Sequence, residues 1–329
     1  MITVTDSGQR KHVQTTHFMG ILRRRSSGKR CRISLTHNLI HNGGIIIMRT
    51  LTALSLILLL TASCAYAEPV KHSQCYDLEE LTLLDKQDVG GGKGTLYGEF
   101  AFIRDNAREE DAIKEIGFMT LKPGSYIGLH SHEDNEDAYL ILSGTGIFTD
   151  GEGNAWTVKE GDMTIARPGQ SHGLANLGTE DLVFLDIIAK NHSADLEAIK
   201  ANPTPQFFPK DKLFDKNVEH AGGTGKGILY GKFAFRREQA TQDQAIKEIG
   251  LMTLKPGDSI GLHTHKDNED TYIILSGEGL FTDGEGGEYA VGPQSVTIAV
   301  AGESHALENT GNEDLVFIDL IAQNHALKK

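Results

Sequence analysis

The chain contains two copies of one long segment, and this duplication limits its possible folds more than any other feature. A shift of 133 residues aligns 114–153 with 247–286 without a gap, and the similarity extends from about Gly90 to His192 in the first copy. A period of this length far exceeds that of a solenoid repeat, so a complete domain has been duplicated. We predict a first domain at 75–195, a proline-rich linker at 196–210 and a second domain at 211–329.

Each copy consists of short apolar segments separated by turn residues. Glu115–Leu121 is followed by Lys-Pro-Gly, Gly146–Thr149 by Asp-Gly, and Met163–Ala166 by Arg-Pro-Gly. Many short strands at regular spacing predict an all-β sandwich or barrel. The alternation of residues leaves open which apolar side chains point into the barrel; the candidates are Phe118, Met119, Ile127, Tyr139, Leu142 and Phe184.

Residues 1–67 do not resemble part of either domain. Met48–Ala67 has a positive charge, a short apolar run and an Ala-Tyr-Ala site, which predicts a signal peptide, a mature N-terminus at Glu68 and a secreted or periplasmic protein. The alternative is a lipoprotein anchored at Cys64. Residues 1–47 are basic and without periodicity, and we interpret them as an upstream extension, with translation starting at Met48.

The composition after Ala67 excludes several classes of partner. This part carries 23 Lys and Arg against 44 Asp and Glu, and such an acidic surface repels nucleic acid and anionic lipid headgroups. We therefore expect a small-molecule ligand and no stable membrane insertion after signal removal. Cys75 is the only cysteine after Ala67, which excludes an internal disulfide in the mature chain. The oligomeric state stays open.

Histidines with metal-ligand spacing lie within the strand pattern. His130 and His132 project from the same face if they lie on a strand, and a carboxylate follows at Glu136 or Asp137. A third histidine, His172, comes 40 residues after His132. The second copy repeats the set as His263, His265, Glu269 or Asp270, and His305. Three nitrogens and one oxygen predict one divalent transition metal per domain, Mn, Fe, Ni, Cu or Zn.

These residues resemble the first motif of the cupin superfamily, which is G-x5-H-x-H, three or four residues, an acid, x6 and G. Gly124–Gly144 fits with Asp137 as the acid, and Gly257–Gly277 fits with Asp270. The family usually has Glu at this position, which keeps Glu136 and Glu269 as alternative metal carboxylates. The resemblance implies two tandem jelly-roll barrels, each holding a metal.

The second cupin motif is present in both copies but is altered. Gly161–Asn176 fits it with Arg167 in place of the first proline, while Val300 stands at that position in the second copy. Arg167 is therefore a candidate contact for an anionic substrate. Tyr139 and Tyr272 are further candidate substrate contacts. Catalytic residues stay unassigned, although Glu115 and Glu248 offer a titratable group in both copies.

The resemblance does not specify an activity, because cupins include dioxygenases, decarboxylases, isomerases and sugar binders. We expect an exported metalloenzyme, similar to a dioxygenase or a decarboxylase, that acts on a small oxygenated organic molecule. The alternative is a non-enzymatic protein that binds a carbohydrate or another metabolite. Oxalate decarboxylases resemble this chain as exported tandem cupins, but their usual arginine before H-x-H is Ile127 and Ile260 here.

Overall fold

A computed structural model describes residues 74–327, so the predicted upstream extension, the signal peptide and Cys64 lie outside the described residues. Antiparallel β-sheets dominate this part of the chain, which confirms the all-β prediction. Within residues 74–327, no helix has the length and apolar character needed to cross a membrane.

The first copy forms twelve strands among the described residues: β1 (Cys75–Tyr76), β2 (Thr82–Leu83), β3 (Lys86–Gln87), β4 (Thr95–Phe102), β5 (Ile113–Leu121), β6 (Tyr126–Ser131), β7 (Glu136–Ser143), β8 (Thr145–Asp150), β9 (Ala155–Lys159), β10 (Met163–Ala166), β11 (Ser171–Ala175) and β12 (Leu182–Ala189). The connection between the copies contains helix α1 (Leu196–Ala201) and strand β13 (Phe207–Phe208).

The second copy repeats this order with β14 (Phe214–Asp215), β15 (Val218–Glu219), β16 (Ile228–Phe235), β17 (Ile246–Leu254), β18 (Ser259–Thr264), β19 (Glu269–Ser276), β20 (Gly279–Asp283), β21 (Glu288–Val291), β22 (Val296–Ala299), β23 (Ser304–Asn309) and β24 (Leu315–Ala322). Short 3-10 helices lie at Leu78–Glu80, Val89–Gly91, Arg104–Asn106, Lys210–Lys212 and His325–Leu327.

Each copy folds into one large and one small sheet around its own core. In the first domain the large sheet has the order β13-β10-β7-β12-β5-β4-β2, with β3 also paired to β4, and the small sheet has the order β6-β11-β8-β9. Ile127, Phe148 and Leu174 of the small sheet share one apolar cluster with Met119 and Phe184 of the large sheet. The second domain has the same arrangement. The two sheets therefore enclose the interior where the predicted ligands lie.

The outer faces of the two large sheets pack against each other and join the domains. Phe118, Leu140 and Leu185 of the first domain belong to the same apolar cluster as Ile249 and Ile318 of the second. Strands β5 and β12 are consequently buried on both faces. Of the interior candidates, Phe118 and Leu142 face this interface, whereas Met119, Ile127, Tyr139 and Phe184 face the barrel.

The chain also exchanges short edge strands between the domains. Strand β1, which precedes the first domain, pairs with β22 of the second domain, and Cys75 is buried in the second domain's core. Strand β13, which precedes the second domain, pairs with β10 of the first. Each large sheet therefore has one edge covered by the segment that leads into the other domain, which prevents that edge from pairing with another chain.

Two buried glutamates fasten the domain interface. Glu136 accepts hydrogen bonds from the backbone N–H groups of Ala245 and Ile246, at 2.8 and 2.9 Å, in the second domain. Glu269 accepts bonds from Ala112 and Ile113 of the first domain in the same way. Both carboxylates are almost fully buried, so these bonds replace the water that they lose on folding.

Glu136 also forms a direct ion pair, whereas Glu269 has a cation, Lys114, only at longer range. Arg167 is 3% exposed, forms an ion pair with Glu136, and lies 5.0 Å from the centre of the Phe235 ring in the second domain. Val300 stands at the position equivalent to Arg167 in the second copy. The pKa of Glu269 is raised to about 7, because the effect of burial exceeds the opposing effect of the hydrogen bonds from the backbone N–H groups of Ile113 and Ala112.

Replacing Arg167 by Ala should lower the free energy of unfolding by about 1.5–3 kcal/mol, because Glu136 loses a buried charged hydrogen-bond partner. Urea denaturation at pH 7.5 measures this change. The control is Lys122→Ala, which breaks an exposed ion pair with Asp181 (2.6 Å) and should cost less than about 1 kcal/mol. Equal losses in the two variants would contradict the structural role of Arg167.

Candidate metal centre

The register of the small sheet brings the histidines of the first domain together. His130 lies on β6 and is directly paired with His172 on β11, while His132 follows the end of β6. Asp137, on the large sheet's β7, completes the group. One ligand atom from each of the four residues lies within 4.8 Å of every other. Two sheets therefore supply ligands to one point inside the barrel.

The second domain reproduces this group. His263 on β18 pairs with His305 on β23, and His265 and Asp270 occupy the positions of His132 and Asp137. The four ligand atoms again lie within 4.8 Å of one another. The structure thus brings together, in each domain, the three histidines and the aspartate that the sequence predicts as ligands.

Hydrogen bonds outside each group orient the imidazole rings. The Nδ1 atom of His130 lies 2.9 Å from the carbonyl oxygen of Gly128, and Nδ1 of His132 lies 2.8 Å from Oδ1 of Asn135. His263 and His265 make the equivalent contacts with Gly261 and Asn268. Because each of these acceptors binds the proton on Nδ1, the lone pair on Nε2 points to the centre of the group.

A glycine-rich loop supports the first of these histidines. Gly90 has a φ of +62°, and a Cβ atom there would lie 2.7 Å from the Gly128 carbonyl oxygen and 3.0 Å from Nδ1 of His130. Only glycine fits this close approach between the loop and β6 without strain. The loop therefore holds the backbone that carries His130.

The distances between the nitrogens fit a bound cation. Nε2 of His132 lies 3.0 Å from Nε2 of His172, and Nε2 of His265 lies 3.0 Å from Nε2 of both His263 and His305. Two nitrogens bound at about 2.1 Å from one ion, at a right angle, are separated by about 3.0 Å. The spacing therefore matches that of neighbouring ligands on a single transition metal.

The protonation states also favour a metal. Burial lowers the pKa of His172 well below its usual value, and it lowers the pKa of His305 as well. These imidazoles are therefore neutral near pH 7, which is the form that binds a metal. A neutral imidazole offers a nitrogen lone pair to a cation. At His265 burial lowers the pKa, but the hydrogen bond and charge of Asp270 outweigh it and leave the pKa raised. Each domain accordingly provides a site for one divalent metal, with Oδ2 of Asp137 or Asp270 as its negative charge.

A second buried aspartate, which sequence reasoning missed, stands behind each ligand carboxylate. Asp186 on β12 shares a hydrogen bond with Asp137, and Asp319 on β24 does the same with Asp270. Burial raises the pKa of Asp186 and Asp319 well above the usual range, and the neighbouring aspartate raises it further. Each therefore holds the proton of this bond. The sequence contains a signal for these residues, because each is the only charged residue in an otherwise apolar strand, β12 or β24.

The two candidate tyrosines lie beside the metal groups. The Tyr139 ring stacks on His172 with ring centres 4.6 Å apart, and its hydroxyl oxygen lies 3.2 Å from Nε2 of that histidine. Tyr272 contacts His305 at the same two distances. Both rings are buried, so they fix the orientation of a ligand imidazole.

The other candidates lie elsewhere. Glu136 and Glu269 precede the ligand aspartates on β7 and β19, and because successive residues point to opposite faces they reach the domain interface instead of the metal group. Arg167 is held at the same interface by Glu136. These placements give the three residues a structural role between the domains.

Glu115 and Glu248 do lie near the metal groups, and each is paired with two cations. Glu115 contacts Lys86 at 3.0 Å and Arg104 at 3.3 Å. Glu248 contacts Arg236 at 3.1 Å and Arg237 at 3.6 Å. The two glutamates stand out in the sequence because both copies contain them. None of the four cations does, because each ion pair depends on which segments lie next to one another in the fold.

An open cavity of about 410 Å³ gives access to the second metal group. Its wall includes His263, His265 and Asp270 together with the ionisable residues Arg236, Arg237, Glu248 and Asp319. Gly222, Ile260 and Met252 contribute apolar surface. A small molecule in this cavity therefore lies beside both the metal group and the half-exposed guanidinium of Arg237.

Comparison with known proteins identifies the family. The Cupin domain model matches residues 117–188 and 250–321, and each match contains one complete set of three histidines and an aspartate. The oxalate-binding protein of Thermotoga maritima is 36% identical over 109 residues, which are 33% of this chain and 88% of that protein. The chain belongs to the cupin family. Its two matched segments make it a tandem cupin, as the sequence predicts.

Two further comparisons concern tandem cupins. The oxalate decarboxylase of Bacillus subtilis is 25% identical over 260 residues, which cover 63% of this chain and 66% of that protein. A solved structure of that enzyme, described by its Mn(II) centres, superposes with a TM-score of 0.52 and 18% identity over 78% of this chain and 79% of the other. At this identity the superposition establishes the shared fold.

Removing the ligands of one domain should halve the metal content. Elemental analysis of the wild-type tandem cupin should find about two divalent ions per chain, and the variant His130→Ala/His172→Ala should retain about one, because the two ligands left in that site are too few to hold the ion. His192→Ala, an exposed histidine outside both groups, serves as the control and should keep both ions. Unchanged metal in the double variant would contradict the assignment.

Proposed function

We propose that this tandem cupin binds a small dicarboxylic acid, with oxalate as the leading candidate, through a divalent transition metal. The observation that carries the proposal is the cavity of the second domain, whose wall combines the metal group with Arg236 and Arg237. A metal with four protein ligands keeps open positions for oxygen atoms, and guanidinium groups bind carboxylates with two parallel hydrogen bonds.

The charge distribution supports an anionic ligand. The chain after Ala67 has a large excess of acidic residues, so most of its surface repels anions. In the cavity, the positive charges of a bound metal, Arg236, Arg237 and Lys266 outweigh the negative charges of Asp267, Asp270 and Glu248, and burial raises the pKa of Asp319 well above its usual value. The cavity is therefore a local site where an anion is favoured.

The relatives support oxalate and manganese as the first ligand and metal to test. One relative is named an oxalate-binding protein and another an oxalate decarboxylase, and the latter has Mn(II) centres. The donor set of three nitrogens and one oxygen suits Mn, Fe, Ni, Cu or Zn. We propose manganese as the physiological metal of this chain.

Metal-loaded protein should bind oxalate in isothermal titration calorimetry, and protein stripped with a chelator should lose this binding, because the ligand oxygens then lack their principal partner. The titration uses Mn(II)-loaded protein after removal of free metal, since oxalate chelates metal in solution. Acetate provides the monocarboxylate comparison and should bind more weakly. Equal oxalate binding with and without metal would overturn the proposal.

Decarboxylation is the second candidate function. It is favoured by Glu248, a carboxyl group that lines the same cavity as the metal ligands and could exchange a proton with a substrate. In the first domain, burial raises the pKa of Glu115, but the hydrogen bond and charges of Arg104 and Lys86 outweigh it and leave the pKa lowered. A carboxylate held in this way is a poor proton donor, which favours binding over catalysis there.

Assays of carbon dioxide release and oxygen uptake separate the candidate functions. A protein that only binds should retain oxalate without producing either signal in the presence of Mn(II) and oxygen. Carbon dioxide release that is lost in Glu248→Gln, with metal content unchanged, would instead support a decarboxylase. Oxygen uptake would favour a dioxygenase.

We also propose that the protein is exported, with Met48–Ala67 as its signal peptide. N-terminal sequencing and intact mass of the protein from its native host should give a mature chain that begins at Glu68. A lipid-modified N-terminus at Cys64 would support the alternative anchor. An intact N-terminus upstream of Met48 would overturn the proposal.

A further inference from the structure

The duplication allows the surroundings of the two metal groups to be compared residue by residue. Glu115 and Glu248 occupy equivalent positions on β5 and β17, and each is 2% exposed. A buried carboxylate needs cationic or hydrogen-bonding partners. The partners that neutralise this carboxylate differ between the domains, and that difference indicates which domain is equipped to bind an anion.

In the first domain, a lysine and an arginine are both committed to the glutamate. Lys86 on β3 lies 3.0 Å from Glu115 and 4.9 Å from the centre of the Phe100 ring. Arg104 binds Glu115 with two nitrogens, Nε at 3.3 Å from Oε2 and Nη2 at 3.3 Å from Oε1. The guanidinium of Arg104 therefore presents its paired donors to the protein's own carboxylate.

In the second domain, a different residue takes the place of the lysine. Arg236, whose counterpart is Ile103, lies with Nε 3.1 Å from Oε2 of Glu248 and with its guanidinium 5.0 Å from the centre of the Phe233 ring. Phe233 is the counterpart of Phe100, so Arg236 occupies the site that Lys86 fills in the first domain. The counterpart of Lys86 is Val218, because Lys86 pairs with Leu96 on β4 and Val218 pairs with the equivalent Leu229 on β16.

This exchange changes the contacts of the second arginine. Arg237 is the counterpart of Arg104, but its side chain approaches Glu248 only through Nε, at 3.6 Å, in place of two contacts of 3.3 Å. Its backbone N–H donates to Oε2 of Glu248 at 3.3 Å. The two arginine side chains are equally exposed, at 48% and 49%, so they differ in what they contact, and Arg237 lines the cavity beside the metal ligands. The paired donors of Arg237 are consequently available to a molecule in the cavity.

The wall of the cavity also makes the second domain better suited to a ligand than the first. Ala221 lines the cavity in the second domain, and its counterpart in the first domain is Val89, which packs against the first domain's core. The smaller side chain at this position leaves more room next to the metal group. Space and a less tightly held guanidinium therefore coincide in the second domain.

We propose that Arg237 is the residue that selects dicarboxylates in the second domain, by binding the carboxylate oxygens that the metal does not. Arg236 acts as a positioning residue, because it neutralises Glu248 and thereby keeps Arg237 from closing onto it. The first domain, in which Arg104 is bound to Glu115, holds a metal but selects dicarboxylates weakly. This inference rests on the proposed function and adds the residue and the domain that determine specificity.

The test uses a background in which only the second site binds metal, His130→Ala/His172→Ala, loaded with Mn(II). Isothermal titration with oxalate and with acetate compares Arg237→Ala with its matched counterpart Arg104→Ala. We expect Arg237→Ala to weaken oxalate binding by about 10- to 100-fold, the effect of losing a charged hydrogen-bond pair, and acetate binding by less than about threefold. Arg104→Ala should change neither affinity by more than about twofold.

A second variant tests the positioning role of Arg236 while Arg237 is retained. Val218→Lys/Arg236→Ile recreates the arrangement of the first domain, so Arg237 should close onto Glu248 and oxalate affinity should fall by about tenfold. Metal content and melting temperature are measured for every variant. Arg237→Ala should leave both close to those of the background protein because Arg237 is half-exposed, and the double variant should do so because the new lysine replaces the cation that Arg236 supplies to Glu248. Arg237→Lys keeps the charge without the paired donors and should give an intermediate affinity.

The outcomes separate this inference from the proposed function. If the metal-loaded background binds oxalate and Arg237→Ala binds it equally well, or if Arg104→Ala causes the same loss, the assignment of Arg237 is overturned and the proposed function stands. If the wild-type protein with both metals binds no oxalate at all, the proposed function fails as well.

Discussion

Three histidine nitrogens and one carboxylate oxygen converge on one point inside each barrel, with ring nitrogens as close as 3.0 Å, and the interior of each barrel is arranged around that convergence. The histidines come from paired strands of the small sheet and the carboxylate from the large sheet, so a bound metal links the two sheets across the interior. The stacked tyrosine, the Nδ1 acceptors and the second buried aspartate all orient the ligands toward that ion. The polar groups in an otherwise apolar barrel are therefore explained by the metal.

The Glu-Asp pair at the start of β7 and of β19 connects the metal site to the domain interface. Because successive residues on a strand point to opposite faces, Asp137 reaches the metal group of its own domain, while Glu136 binds the backbone that precedes β17 in the other. In the second domain, Asp270 reaches its own metal group, while Glu269 accepts hydrogen bonds from the backbone at the start of β5 in the first domain. The packing of the two large sheets thus places one residue of each pair in a dry interface and the other in a metal site.

Duplication preserved the ligands of both sites but not their surroundings. The exchange of Ile103 for Arg236 and of Lys86 for Val218 keeps the buried glutamate neutralised by a cation over the equivalent phenylalanine. Neither buried glutamate is left unpaired, since each retains two cationic neighbours. The change affects how tightly the glutamate holds the arginine present in both copies, Arg104 or Arg237, and the proposed anion binding depends on this difference.

Local patterns in the chain establish the duplication, the all-β class and the three histidines with an acid in each copy. These patterns are a fixed 133-residue shift, short strands with glycine turns, and the two-residue period that puts His130 and His132 on one face. The folded arrangement was needed to choose Asp137 over its neighbour Glu136 as the ligand, and Met119 over Phe118 as a residue of the barrel interior. The alternation of side chains along a strand shows that successive residues point to opposite faces. Because both faces of these strands are buried, the alternation does not show which face lines the barrel interior. The positions of Arg167 and Arg237 depend on contacts between residues far apart in the sequence, which the register of the strands and the packing of the domains establish.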